Sequence, residues 1–202
     1  ARLRDALLPR RHAAGYRNAH KLGVWEIGAA RPLAYVRRDG RSFTLYEDLS
    51  ALPRLDHLAR SIFTTGTPRE QTALLEASAR WVGRMHAAGV YHGDLKGVNV
   101  LVARRGETFD FRLIDTDHCR FFAGCVDARR RIKNLAQLSA SIPECVTGED
   151  RARWYRLYRG ELPRQARHLL RGQTEEEAQA AVSKEVDAQL ARNIVVVSEP
   201  IE

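Results

Sequence analysis

HGDLKGVN, residues 92–99, is the stretch that decides how this chain folds, and LIDTD, residues 113–117, completes it. Between the two, apolar residues alternate with polar ones on both sides of the turn-forming RRGE at 104–107. Alternation of this kind indicates two β-strands joined by a short turn. A short hairpin brings its two ends together, so we expect Asn99, which opens the first strand, to lie beside Asp115, which closes the second.

Asp94, Asn99 and Asp115 have the side chains that phosphoryl transfer from a nucleoside triphosphate requires. One carboxylate orients the acceptor hydroxyl, while an amide oxygen and a second carboxylate hold Mg²⁺ on the triphosphate. An Asp in an isolated loop can also simply cap a turn, and Asp94 alone would favour that interpretation. The Asn and the second Asp, at matching spacing and in matching secondary structure, favour a catalytic Asp94 with Asn99 and Asp115 as metal ligands.

Five further residues are candidates for supporting roles. Lys96 follows the predicted catalytic carboxylate closely, where its ammonium group would neutralise the transferred phosphoryl group; a solvated lysine is the alternative. Asp117 either adds a carboxylate to the metal site or bonds the local backbone. His92 is interpreted as a packed, hydrogen-bonded loop residue. Glu47 and Leu49 bracket a crossing where backbone groups would meet an adenine edge, although other hinges with alternating apolar residues look alike.

Local patterns predict a chain that is mostly helical after its first quarter. We expect residues 1–48 to form a partial N-terminal lobe of one helix and one hairpin, with the hinge near 47–50. Residues 49–202 are expected to form a helical C-terminal lobe that carries the catalytic loop. The predicted helices span 10–22, 69–88, 128–140, 149–158 and 175–192, the last with a capping box at 174–177, and the first hairpin joins 33–38 to 42–46 around Asp39-Gly40.

The composition is that of a globular, basic protein. Of the 202 residues, 44% are hydrophobic, enough for one core or two small lobes, and the net charge is +8. This charge favours polyanionic partners, but the basic residues are dispersed without stacking aromatics, so nucleic acid is the weaker choice. One cluster stands out, as either a solvated helix face or a patch for an anionic membrane surface: Arg129, Arg130, Arg131 and Lys133.

The cysteines and the hydropathy pattern point to a cytoplasmic protein. Three cysteines, at positions 119, 125 and 145, cannot all be paired and form no CxxC motif, which favours a reducing compartment. No apolar run approaches the roughly 18 residues that a membrane-spanning helix needs. Residues 1–5 also lack the apolar core of a signal peptide. A peripheral place on a membrane is a further expectation.

The sequences HGDLKGVNVLV, residues 92–102, and FRLIDTDHCRF, residues 111–121, resemble those of the lipopolysaccharide kinases that phosphorylate Kdo or heptose sugars of the inner core. The resemblance extends over roughly residues 12–160 and places the chain in the protein-kinase-like superfamily. Its loop motif is shared with small-molecule kinases, whereas the Asp-x-Asp ending and the flanking segments favour the glycolipid branch. Those segments are YRNAHKL at 16–22, RPLA at 31–34 and RARWYRLY at 151–158.

This resemblance implies an α+β, protein-kinase-like bilobal fold, with an incomplete small β lobe and a mainly helical large lobe. It also implies ATP with Mg²⁺ and transfer of the γ-phosphoryl group to a sugar hydroxyl at the cytoplasmic face of a bacterial inner membrane. Asp94 is then catalytic, and Asn99 and Asp115 are metal ligands. Gly93 stands where many protein kinases have the Arg that reads a phosphorylated activation loop, so regulation of that kind is not expected.

The chain also departs from the kinase pattern. Neither a Gly-rich phosphate loop nor a Val-Ala-x-Lys strand precedes the helix at 10–22, and that helix has no Glu to pair with such a lysine. We expect the sequence to be a fragment whose first strands lie upstream; a natural truncation that binds nucleotide poorly is the alternative. Two other functions stay open, a pseudokinase-like binding module and an aminoglycoside-type kinase. The sequence does not decide the acceptor hydroxyl, the oligomeric state or the role of residues 193–202.

Overall fold

The computed structural model describes residues 2–39, 41–167, 180 and 184, and only the backbone of residues 2–12. Apart from Ala180 and Lys184, the helix predicted at 175–192 lies outside the described residues, as do its capping box and the tail. The described helices are α1 (Arg2–Val24), α2 (Leu55–Thr65), α3 (Pro68–Ala87), α4 (Ala128–Ser141) and α5 (Gly148–Glu161). The strands are β1 (Pro32–Arg38), β2 (Arg41–Tyr46), β3 (Val90–Tyr91), β4 (Val100–Arg105), β5 (Thr108–Leu113) and β6 (Arg120–Phe121).

Among the described residues, three antiparallel pairs of strands form separate small sheets: β1 with β2, β3 with β6, and β4 with β5. The first and third are the two hairpins predicted from the sequence, one from the strand-like runs around Asp39-Gly40 and the other from the alternating apolar pattern. In the third, Val100 lies opposite Leu113 at the end that is away from the turn. The short pair β3–β6, in contrast, has only two residues on each strand, which is too short for an alternation to be visible in the sequence.

The helices differ from their predicted positions mainly near the N-terminus. The helices predicted at 69–88, 128–140 and 149–158 correspond closely to α3, α4 and α5. Helix α1 begins at Arg2 instead of residue 10. Helix α2 was not predicted as a separate element, although its buried residues Leu55, Ala59 and Ile62 recur at helical spacing.

Helix α3 is the central element of the helical part. It begins with Pro68, and the Thr67 side chain accepts a hydrogen bond from the Glu70 N–H in a capping box. One face of α3 packs on α5, and another reaches the hairpin β4–β5. There the rings of Trp81 and Phe111 stack with their centroids 5.0 Å apart. This contact fixes the hairpin that carries the predicted metal ligands against the helices.

Backbone hydrogen bonds also hold the hairpin β4–β5 along both of its outer edges. On the β5 side, the Ala30 N–H donates to the Leu113 oxygen and the Leu113 N–H donates to the Gly28 oxygen, both at 2.9 Å. On the β4 side, the Val102 N–H donates to the Pro53 oxygen at 2.9 Å. A two-stranded hairpin is only marginally stable by itself, so these flanking segments help to keep it in place.

Replacing Gly83 by Ala is expected to destabilise the protein. Gly83 lies where α3 meets α5, and an added Cβ would lie 2.8 Å from the Tyr158 carbonyl oxygen and 2.6 Å from the Glu161 Cβ. Overpacking of this kind typically costs about 1–3 kcal/mol. Gly160→Ala in α5 is the matched control, because a Cβ there meets no atom within 4 Å, and it should keep or slightly raise the stability. Thermal unfolding measures both; equal midpoints would contradict the close packing of α3 on α5.

Candidate active site

The end of the β4–β5 hairpin that lies away from its turn brings the backbones of Asn99 and Asp115 close together. Asn99 is the last residue of a short 3₁₀ turn before β4, and the Ile114 N–H donates to its carbonyl oxygen at 3.1 Å. Asp115 then takes the left-handed conformation, with φ 54° and ψ 49°, and starts a second 3₁₀ turn, Thr116–His118. The backbones at these two positions are therefore neighbours, as the hairpin predicts, and a shared metal site of their side chains stays a prediction.

Three side chains hold the carboxylate of Asp94. The Lys96 ammonium lies 2.9 Å from Oδ1, the Asn99 Nδ2 donates to Oδ2 at 3.2 Å, and the Gln137 Nε2 donates to Oδ1 at 3.4 Å. The Asp94 side chain is still 34% exposed, so a hydroxyl group from a ligand can reach it.

The bonds of Asn99 leave its amide oxygen available. Its Nδ2 donates both to the Asp94 carbonyl oxygen, at 2.9 Å, and to the Asp94 carboxylate. Within residues 13–39 and 41–167, no hydrogen bond to the Asn99 Oδ1 is present. An amide oxygen of this kind is a suitable ligand for a hard cation.

Asp115 and Asp117 form a pair of neighbouring carboxylates at the same end of the hairpin. Burial, and then the charge of Asp117, raise the pKa of Asp115 above its ordinary value. Oδ1 of Asp117 is buried and has no hydrogen-bond partner in the described part of the chain; the His118 Nε2 lies 3.6 Å away. Two like charges with an unpartnered buried oxygen fit a site for a divalent cation.

The donor set is nevertheless small. Across the described residues, no group of three or more His, Cys, Asp and Glu side chains is placed to hold a metal ion. The candidate set consists of one amide oxygen and two carboxylates, and an ion bound there would keep several water or phosphate ligands. This is the usual way in which Mg²⁺ is bound next to a triphosphate.

Helix α1 holds the turn that carries the two carboxylates. The Asn18 Nδ2 donates to the Thr116 oxygen at 2.8 Å and to the Cys119 oxygen at 3.2 Å. The Thr116 hydroxyl in turn donates to the Gly15 oxygen at 3.0 Å. Gly15 also makes room for the Tyr46 hydroxyl, which would lie 3.0 Å from a Cβ at this position. Asn18 was not predicted as a site residue, since nothing in the local pattern shows which loop its amide reaches.

His92 is the packed loop residue that the sequence suggests. It is fully buried. Its Nε2 lies 3.0 Å from the Ile114 oxygen, and its Nδ1 accepts a hydrogen bond from the Asp94 N–H at 3.2 Å. The first contact requires a proton on Nε2 and the second requires none on Nδ1, so the ring is neutral. Burial lowers its pKa accordingly. His92 thus links the loop before Asp94 to the strand end before Asp115.

Four polar residues, three on α4 and one on α3, support the loop that carries Asp94, and none of them was predicted from the sequence. The only signal in the sequence is that two amides, a hydroxyl and an imidazole occur among the apolar residues of these helices. The Ser141 Oγ accepts a hydrogen bond from the Gly97 N–H at 2.7 Å. The four residues are His86, Asn134, Gln137 and Ser141.

The predicted nucleotide contacts of Glu47 and Leu49 lie at the end of β2. The Glu47 Oε1 accepts a hydrogen bond from the Arg31 N–H at 2.8 Å, and the Glu47 N–H donates to the Arg31 oxygen at 2.9 Å. The Leu49 oxygen accepts from the Leu52 N–H at 2.9 Å and closes a turn. The Glu47 side chain therefore stabilises the start of the first hairpin, and the contact of the 47–49 backbone with an adenine edge stays a prediction.

The predicted basic patch is partly wrong. Arg131 is 2% exposed, and its Nη1 donates to the Cys125 sulfur at 3.3 Å and to the Val126 oxygen at 3.1 Å. Arg131 is therefore a buried residue that fixes the segment before α4, and it is not part of a surface patch. Arg130 pairs with Asp127 and lies over the Phe122 ring, so the fully exposed cations of the cluster are Arg129 and Lys133. None of the helices in the described ranges is long and apolar enough to cross a bilayer.

The loop with Asp94 lies between the long helix α3 and the hairpin β4–β5; α4 packs against this loop, and α5 packs on α3. This arrangement is that of a protein-kinase-like phosphotransferase. The model of the lipopolysaccharide kinase (Kdo/WaaP) family matches residues 16–159, and the chain belongs to this family of kinases. The predicted family and fold class are confirmed.

A solved structure agrees with this assignment. The structure of WaaP in complex with acyl carrier protein is similar, with 27% sequence identity and a TM-score of 0.67 over 88% of this chain and 77% of that chain. A search of curated proteins gives no match.

The free energy of unfolding is expected to fall as the pH is lowered, in part because of His86. Burial lowers the pKa of this ring from 6.5 to about 4. Above about 6.5 both states are neutral; between about 6.5 and about 4 the unfolded chain binds a proton that the folded protein does not, so stability is lost through this window.

Urea unfolding at pH 7, 6 and 5 measures the effect in the wild type and in His86→Gln. The raised pKa of Asp115 has the opposite effect on the pH dependence, and the lowered pKa of His92 has the same effect as that of His86. Both groups are present in the wild type and in the variant, so they do not affect the comparison. The variant should therefore lose less stability on acidification than the wild type. Identical pH dependence would show that His86 is not buried as a neutral ring.

Proposed function

We propose that this protein transfers the γ-phosphoryl group of ATP to a sugar hydroxyl of the lipopolysaccharide inner core, on Kdo or heptose, with Mg²⁺ as the metal. The observation that carries the proposal is the geometry around Asp94. Its carboxylate is fixed between Lys96 and Asn99, and the Asp115–Asp117 pair lies at the adjacent hairpin end. Membership of the lipopolysaccharide kinase family supports the acceptor class.

Each residue has a distinct task in this proposal. Asp94 accepts the hydrogen bond of the acceptor hydroxyl and orients it for attack. Lys96 turns from Asp94 to the transferred phosphoryl group. Asn99, through its free amide oxygen, and the two carboxylates of Asp115 and Asp117 are the ligands for Mg²⁺, which when bound neutralises charge on the phosphate oxygens.

The nucleotide would lie between residues 1–48 and residues 49–202, with its adenine edge near the backbone of 47–50. A hairpin and a helix on one side and the catalytic loop on the other form such a cleft in kinases. Helix α1 would then act on the reaction indirectly, because Asn18 holds the turn that follows Asp115.

Asp94→Ala should abolish phosphate transfer while leaving the fold intact. Loss of the group that orients the hydroxyl typically costs about 10²- to 10⁴-fold in rate. The assay follows transfer of ³²P from γ-labelled ATP to lipopolysaccharide whose core phosphates have been removed. Asp110→Asn, an exposed carboxylate on β5, is the control and should retain full activity.

Three acceptors in the same assay separate the alternatives. Transfer to the core glycolipid supports the proposal. Preferential transfer to an aminoglycoside would identify a small-molecule kinase instead. Absence of transfer to glycolipid, aminoglycoside or peptide by the wild type, with retained nucleotide binding, would favour a pseudokinase-like binding module.

Asp115→Asn should raise the thermal stability of the nucleotide-free protein and remove its response to Mg²⁺ and ATP. The raised pKa of Asp115 means that burial and the neighbouring Asp117 disfavour its ionised form. Asn has nearly the same shape without the charge, so the substitution should increase the free energy of unfolding. The same change removes a cation ligand. Thermal unfolding with and without Mg²⁺-ATP at pH 7.5 tests both effects, again with Asp110→Asn as the control. A Mg²⁺-ATP stabilisation equal to that of the wild type would exclude Asp115 as a ligand.

We also propose that acyl carrier protein is a partner, because the similar WaaP structure is a complex with that protein. A cavity of about 490 Å³ between α2, α3, α4 and α5 supports the proposal. Its volume lies in the range of small-molecule sites, and its wall is mostly apolar, as an acyl chain requires. Lining residues include Leu55, Ala59, Phe63, Leu135, Leu138 and Trp154.

Acylated carrier protein should bind this chain more tightly than the same carrier without its acyl group. Filling the cavity by Ala59→Phe should remove that difference, because Ala59 is buried on its wall. Calorimetric titration measures both affinities. Equal affinity of the two carrier forms for the wild type would show that the cavity does not hold the acyl chain.

A further inference from the structure

Helix α4 carries amide side chains on its interior side, where a core helix normally has apolar residues. Asn134 is fully buried and Gln137 is 6% exposed. Their neighbours Leu135 and Leu138 belong to the hydrophobic core. A buried amide that lacks hydrogen-bond partners costs free energy, so the two amides must have specific partners.

Both amides are bonded to the loop that carries the candidate catalytic carboxylate. The Asn134 Nδ2 donates to the His92 oxygen at 2.6 Å and to the Gln137 Oε1 at 3.2 Å. The Gln137 Nε2 donates to the Gly93 oxygen at 3.3 Å and to the Asp94 Oδ1 at 3.4 Å. Because Asn134 occupies the oxygen of Gln137, the NH₂ group of Gln137 is the end that faces Asp94.

Two residues from other helices fix the orientation of Asn134 in turn. The His86 Nε2 lies 3.2 Å from the Asn134 Oδ1, and the His86 Nδ1 lies 2.9 Å from the Tyr158 hydroxyl. An amide oxygen only accepts, so Nε2 carries the proton and Nδ1 accepts from the hydroxyl. Burial lowers the pKa of His86 to about 4, which keeps the ring in this neutral form near pH 7.

The hydrogen bonds therefore run in one direction, from Tyr158 through His86, Asn134 and Gln137 to Asp94. We infer that Asn134 and Gln137 are positioning residues that hold the Asp94 carboxylate in the orientation needed for the acceptor hydroxyl. This inference rests on the proposed function, because the orientation matters only if Asp94 acts on that hydroxyl. Neither amide needs to touch a substrate.

Gln137 has a particular part in this arrangement. It shares the Asp94 Oδ1 with Lys96, whose ammonium lies 2.9 Å from the same atom. When Lys96 turns toward the transferred phosphoryl group, Gln137 is the donor to Oδ1 that remains among the described residues. Asn99 continues to hold Oδ2, so the carboxylate stays fixed at both oxygens during transfer.

Gln137→Glu is the test, with Gln71→Glu as the matched control. Gln71 makes the same type of contact at a distant place, since its Nε2 donates to the carbonyl oxygens of Ile62 at 3.3 Å and Gly66 at 3.5 Å. The assay is the transfer of ³²P to dephosphorylated lipopolysaccharide by the full chain, with kcat expressed per folded enzyme and KM measured for ATP.

Gln137→Glu should lower kcat by about 10- to 100-fold, the usual cost of a misplaced reacting group, with the KM for ATP changed less than about twofold. Gln71→Glu should change neither quantity. A merely structural role would lower the amount of folded enzyme and leave kcat per folded molecule unchanged.

Gln137→Met is the second variant, because a buried carboxylate can also destabilise the fold. It keeps the packed volume and removes both donors, and circular dichroism and thermal unfolding establish that it is folded. It should again lower kcat at unchanged KM. A wild-type kcat in a folded Gln137→Met would overturn the inference. Failure of the wild type to transfer phosphate would instead overturn the proposed function, so the two failures are distinguishable.

Discussion

The rest of the site depends on the register of one short hairpin. With Val100 paired to Leu113, the Ile114 N–H donates a hydrogen bond to the Asn99 oxygen. This bond makes the backbones of Asn99 and Asp115 neighbours. A shift of the register by one residue would turn alternate side chains to the opposite face of the hairpin. The stacked Trp81 and Phe111 rings oppose such a shift, since they pair one face of the hairpin with α3.

Amide side chains hold this site from both sides. Asn18 of α1 binds the turn after Asp115, and Asn134 and Gln137 of α4 bind the loop before Asp94. An amide both donates and accepts without a net charge. These supporting contacts therefore add no charge near the ionised groups of the site. A charged side chain in the same place would shift the pKa values of those groups.

Part of this arrangement can be predicted from the sequence. The alternation on both sides of the turn predicts the hairpin β4–β5 and with it the closeness of Asn99 and Asp115, because a hairpin is a local structure. The contacts of Asn18 and Gln137 cannot be predicted in this way. Each joins segments that are far apart in the chain, as the separation of 98 residues between Asn18 and Thr116 shows. Arg131 was assigned to the surface for the same reason: a charge run shows which residues are basic, and packing decides which of them is buried.

The left-handed backbone of Asp115 restricts the amino acids that this position accepts. At φ 54° and ψ 49°, Gly, Asn and Asp are tolerated, whereas most other residues bring a steric cost of roughly 1–2 kcal/mol. A scan of substitutions here would mix a conformational penalty with the loss of a carboxylate. Natural variation at residue 115 should accordingly be narrow even in relatives that have lost catalysis, and a retained Asp is by itself weak proof of activity.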